Sequence, residues 1–115
     1  MVEFVGAAGD LDIYRVPVAA LDRPALRSLR KDRAHSPAGR KLVLDLSGVE
    51  FVDSAGLAEL LSLARVSAKA GGELKVVAPS PDVRSLFTLV CLHRVVDVYN
   101  DLGEVLREPS ASSVA

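Results

Sequence analysis

The stretch that most constrains this chain runs from Leu42 to Leu57 and reads LVLDLSGVEFVDSAGL. Its first five residues form a short, nearly continuous apolar run, the pattern of a central strand covered on one or both faces. Ser47-Gly48 then turns the chain, and Phe51-Val52 carry it to Asp53. From Leu57 onward, Leu60, Leu61 and Ala64 recur at helical spacing until Gly71-Gly72, where a left-handed cap ends the helix. Strand and helix alternate from residue 42 onward, which calls for an α/β fold with right-handed crossovers and parallel later strands.

The same alternation continues toward the C-terminus. Leu74 to Ala78 forms a strand, and Pro79-Ser80-Pro81 turns the chain. Val83, Leu86, Phe87 and Val90 mark an amphipathic helix, Val95 to Tyr99 a strand, and Asp101 to Arg107 a short helix. Toward the N-terminus, residues 2 to 8 and 12 to 18 are two strands separated by the turn pair Gly9-Asp10, an opening hairpin. Pro17 argues for an edge position or a strand end. Asp22-Arg23-Pro24 starts a helix, with Asp22 as cap and Pro24 in the first turn, where its missing N–H costs nothing. Ala25, Leu26 and Leu29 face inward, and the helix ends in Ser36-Pro37-Ala38-Gly39. The expected architecture is a single α/β domain over residues 1–108, with a mixed β-sheet (N-terminal hairpin, then parallel strands) and about four helices. Residues 109–115 should form a disordered tail.

At 115 residues, half of them hydrophobic, the chain can bury one continuous core. Its 14 basic and 15 acidic residues nearly cancel, so no global field favours nucleic acid or an anionic membrane surface, and partner choice must be local. One local candidate is the basic cluster Arg27, Arg30, Lys31, Arg33, Arg40 and Lys41, which is either a solvated face or a docking patch. No apolar run reaches the roughly 18 residues of a membrane span, and the N-terminus has no secretory pattern, so a cytoplasmic protein without membrane insertion is expected. Cys91 is the only cysteine and reads as a small buried hydrophobe.

Enzyme chemistry finds little footing. No glycine-rich run ends in Gly-Lys-Ser or Gly-Lys-Thr, as a nucleotide hydrolase loop requires. Val52-Asp53-Ser54-Ala55-Gly56 falls short of a nucleophile elbow at its first position, and nothing ties His35 or His93 to Ser54 as a base. Cys91 and His93 are two candidate metal ligands with no third at suitable spacing. No catalytic residue, metal or cofactor is therefore expected. Ser54 remains. Either it or Asp53 caps the helix through an amide near Gly56 or Leu57. Placed after a strand at the start of a helix, its hydroxyl is also displayed where open α/β sheets keep their sites. A phosphate there would gain the helix N-terminus and leave the helix intact, yet present a dianion beside Asp53 to anything packed over it.

Residues 42–57 closely resemble the central motif of the STAS domain family, the sulfate transporter and anti-sigma factor antagonist domains. GGELKVVAPSPDVR over 71–84 resembles the strand and helix start that follow in the family, and LHRVVDVY over 92–99 its last strand. The regulatory members this chain resembles are anti-sigma factor antagonists. The resemblance implies that Ser54 is a phosphoacceptor for an anti-sigma factor with serine kinase activity. The unphosphorylated form would bind that factor and release the sigma factor, phosphorylation would switch binding off, and a serine phosphatase would restore it. It further implies that Asp53 shapes the phosphosite and that Ala55, Gly56 and Leu57 form the helix start against which the partner packs. Where the family has Gly-Glu-Leu-Asp, Ala19-Ala20-Leu21-Asp22 stands here, with a shortened linker before Pro24. This places Asp22 near the phosphoacceptor; a register at Gly9-Asp10-Leu11-Asp12 would remove the first strand. The alternatives to a switch are a constitutive scaffold subunit of a larger signalling or lipid-transport assembly and a nucleotide-binding module.

Overall fold

The computed structural model describes residues 2–33 and 39–107, without the side chains of residues 32 and 33. The expected tail over 109–115, His35, and most of the loop after the first helix lie outside the described residues. Strands β1 (Glu3–Ala8) and β2 (Leu11–Arg15) form the antiparallel hairpin. Gly9 takes the positive φ of 60° in its turn, a conformation open to glycine at little cost. β2 stops at Arg15, short of the expected Val18. The amide of Val16 still donates to Asp45 O at 3.1 Å, but Pro17 has no N–H with which to continue the ladder.

The next elements are β3 (Ala20–Leu21), α1 (Arg23–Arg33), β4 (Lys41–Asp45), β5 (Phe51–Val52) and α2 (Ser54–Lys69). They are followed by β6 (Leu74–Val77), α3 (Pro81–Leu89), a 3-10 turn (Leu92–Arg94), β7 (Asp97–Tyr99) and α4 (Leu102–Arg107). The main sheet has the order β1-β2-β4-β6-β7, with β1 antiparallel and every later neighbour parallel. β4 lies at its centre and is covered on both faces. Leu42, Leu44 and Leu46 enter the larger core with Leu26 and Leu29 of α1, Leu60 and Leu63 of α2, and Val83 and Phe87 of α3. Val43 points the other way, into a smaller core with Ile13, Val77 and Val105 of α4. That double burial is why the run reads as almost unbroken apolar sequence.

α2 ends as its glycines suggest, with Gly71 at φ 81°. Gly72 is needed for a different reason: a Cβ there would overlap the Arg40 carbonyl oxygen.

Several expectations are corrected. Cys91 is not buried. It is exposed and left-handed, at φ 59°, where the chain turns out of α3, and the neighbouring Leu92 takes the core position. Val90 follows the last residue of α3 and is 41% exposed. The last strand is shorter than expected because the amides of Val95 and Val96 both donate to Leu92 O at 3.0 Å and are lost to the sheet. Three members of the basic cluster are ion-paired, Arg30 with Glu59 at 3.2 Å, Arg40 with Asp12 at 2.6 Å and Lys41 with Asp10 at 3.3 Å, which leaves both the solvated-face and the docking-patch readings open. The hydrogen bond to Asp12 holds the Arg40 pKa above its ordinary value. Arg27 and Lys31 remain exposed on α1.

Candidate functional site

Two short strands stand apart from the main sheet. β3 and β5 pair in parallel, Ala20 with Phe51 and Leu21 with Val52, and each runs directly into a helix. Glu50 N and Phe51 N both donate to Ala19 O, at 2.7 and 3.0 Å. The inward residues, Leu21 and Val52, are buried, whereas Ala20 and Phe51 face out, Phe51 58% exposed. This pair is the pedestal of the site. Sequence reasoning recognised Phe51-Val52 only as apolar residues after a turn, because a two-residue strand leaves no periodicity to read.

Because the strands are in register, the next residues, Asp22 and Asp53, open two neighbouring helices. Each carboxylate caps its own helix: Asp22 Oδ1 accepts from Ala25 N at 3.2 Å, and Asp53 Oδ1 from Gly56 N at 2.6 Å. Asp53 has the extended backbone of an N-cap, φ −84° and ψ 171°, and its carbonyl accepts from Leu57 N at 2.9 Å. The cap thus belongs to Asp53 and not to Ser54. Ser54 is the first residue of α2, exposed, and its hydroxyl makes no hydrogen bond among the described residues. The Asp53 cap and the positive end of α2 lie beside the free Ser54 hydroxyl, and Asp22 takes the matching position at the start of α1.

Gly56 is buried in the same turn. A Cβ there would overlap the Leu21 carbonyl oxygen and approach Asp53 Oδ1 to 3.1 Å, so glycine is what lets α2 start against the end of β3. Gly56 therefore shapes the site from beneath. Ala55 and Leu57 are half-buried, and Leu57 packs against the main core. Farther along, Glu59 lies between the helices and is paired with Arg23 at 3.6 Å and Arg30 at 3.2 Å from α1.

Among the described residues, which exclude His35, no histidine is brought to Ser54. His93 lines a separate cleft of about 430 Å³ with Arg84, Phe87, Thr88, Asp97, Val98 and Tyr99. Among the described residues, no three His, Cys, Asp or Glu side chains group as a metal site, and no helix is long and apolar enough to cross a membrane. The arrangement offers an exposed hydroxyl at a helix start capped by a carboxylate.

The family model for the STAS domain matches residues 8–105. A curated protein of Thermotoga maritima is 31% identical over 68 residues, 59% of this chain and 60% of its own length. The Anti-sigma F factor antagonist of Paenibacillus polymyxa is 30% identical over 67 residues, 58% of this chain and 57% of its own. The chain thus spans about 60% of the length of the curated relatives it matches. Among solved structures, an anti-sigma factor antagonist from Mycobacterium paratuberculosis superposes with a TM-score of 0.69 at 26% identity, covering 92% of each chain.

Proposed function

The chain belongs to the STAS domain family, and from that footing we propose that it is an anti-sigma factor antagonist switched by phosphorylation of Ser54. Unphosphorylated, it binds an anti-sigma factor that is also a serine kinase and so releases the sigma factor. Phosphorylated, it lets go, and a serine phosphatase resets it. The names of its relatives support the general role.

The observation that carries the reading is the division of labour at the start of α2. Asp53 satisfies the first-turn amide, so the Ser54 hydroxyl is exposed and free to be modified without uncapping the helix. A phosphate on Oγ adds roughly 1.5 to 2 negative charges. The helix N-terminus tolerates it. A partner lying over Ser54 does not, because closing on it must desolvate a dianion next to the Asp53 carboxylate. The switch needs no refolding, only a change in what the surface presents.

The test is intact-protein mass spectrometry with site mapping, after incubation with ATP and each candidate anti-sigma kinase from the protein's own source. One added phosphate on Ser54, absent in Ser54→Ala, supports the switch. Absence with every candidate refutes it and favours a constitutive scaffold.

A further inference from the structure

On the flank of α2 away from α1 lies a second feature, an apolar groove of about 290 Å³ lined by Leu61, Ala64, Arg65, Ala68 and Val95. Val95 is 63% exposed, left there by the 3-10 turn that takes its amide out of the sheet. Arg65 on the rim is exposed and makes no ion pair among the described residues. In sequence, Ser54, Leu57, Leu61, Arg65 and Ala68 follow one another at intervals of three or four, so they form a single ridge of the helix. The groove is therefore a continuation of the surface on which Ser54 is displayed. The opposite flank of α2 is closed by α1 and the Glu59 ion pairs.

The geometry points to this groove as the second anchor of the anti-sigma factor, filled by an apolar side chain of a partner helix that carries a carboxylate for Arg65. The inference rests on the proposed function and adds where the partner's binding energy arises. A specific interface covers about 800 Å² on each partner, a patch close to 30 Å across. The start of a helix alone is too small. From Ser54 to Ala68 the ridge runs about 21 Å at 1.5 Å per residue, which brings the groove inside such a patch. Chemistry also separates the two ends. The Ser54 end presents the Asp53 carboxylate and, two residues earlier, the exposed ring of Phe51, whereas the groove is the kind of concave apolar site in which an anchoring side chain is desolvated. The unpaired Arg65 at the rim selects a helix with an acidic residue beside its apolar one.

The test uses the full chain and the same panel of candidate anti-sigma factors, with affinity measured by calorimetry for the wild type, Ala68→Glu, Val95→Asp and Arg65→Glu. Ala68, Val95 and Arg65 are exposed, so the folded structure, checked by circular dichroism and thermal melting, should be retained. Each groove variant is expected to bind at least about tenfold more weakly than wild type, with Ser54 still phosphorylated by the kinase on prolonged incubation. If the wild type binds and phosphorylation at Ser54 releases it, but all three variants bind with the wild-type Kd, the groove is not an anchor and the Ser54 reading stands alone. If the wild type binds no candidate, the reading on which the groove depends fails, and the groove assignment with it.

Discussion

Gly56→Ala isolates the contact that positions the site. In a helix interior, replacing glycine by alanine ordinarily stabilises by about 1 kcal/mol. Here the new methyl would overlap the Leu21 carbonyl oxygen and press on Asp53 Oδ1 at 3.1 Å. The first obstacle is backbone, held by the β3–β5 pairing and by the start of α1, so it cannot rotate aside as a side chain would. Overpacking of this kind costs up to about 3 kcal/mol, and after the propensity gain a net loss of about 2 kcal/mol remains. For a domain of this size that is a fall in Tm of roughly 8–10 °C. Urea unfolding of Gly56→Ala beside Gly48→Ala is the assay, because nothing lies within 4 Å of a Cβ built at Gly48. The Gly48 variant should unfold within about 0.5 kcal/mol of wild type. If Gly56→Ala is as stable as wild type or more so, helix propensity has won, and the close approach of α2 to β3 does not hold the site as described.

Asp53→Ala should lose about 1 kcal/mol of cap energy in thermal or urea unfolding, whereas Ser54→Ala should change stability by less than about 0.5 kcal/mol; equal losses would show that the hydroxyl shares the cap. Cys91, exposed in a left-handed conformation, should react fully with a thiol reagent in the native protein, and Cys91→Gly should stabilise by about 1 kcal/mol through relief of that conformation; a thiol that reacts only in denaturant would contradict its placement. Arg40 ties β4 to the hairpin through Asp12, Gly9 O at 2.8 Å and Leu11 O at 3.2 Å. Arg40→Ala should lower the urea midpoint measurably, and Arg40→Lys should recover little of it because one ammonium cannot serve three acceptors in a fork; full recovery of the midpoint would show that charge alone matters.

What could be read from the amino acids was whatever has a period or a fixed chemistry. Leu42 to Leu46, the α2 stripe and the Gly71 stop all follow from burial and backbone preference, and they were enough to set a mixed sheet with parallel later strands. The identity of the capping residue was not legible, since Asp53 and Ser54 are both good caps and only the extended backbone at 53 decides between them. The β3–β5 pair was hidden because each strand has two residues and its partner lies some thirty positions away. Cys91 misled because its ordinary preference is for the interior, and a turn out of α3 at φ 59° overrode it. The basic residues looked like one cluster in the chain, but Asp10, Asp12 and Glu59, each distant in sequence, had already claimed three of them.

The pedestal of β3 and β5 has a consequence for how such a protein can diverge. Only alternate residues, Leu21 and Val52, are committed to the core; Ala20 and Phe51 stand outside it, just ahead of the helices that Asp22 and Asp53 open. Substitutions at those two outward positions alter the surface offered to a partner while leaving every strand of the main sheet in register. The outer face of the pedestal can therefore change in size and polarity without disturbing the core or the register on which the start of α2 depends.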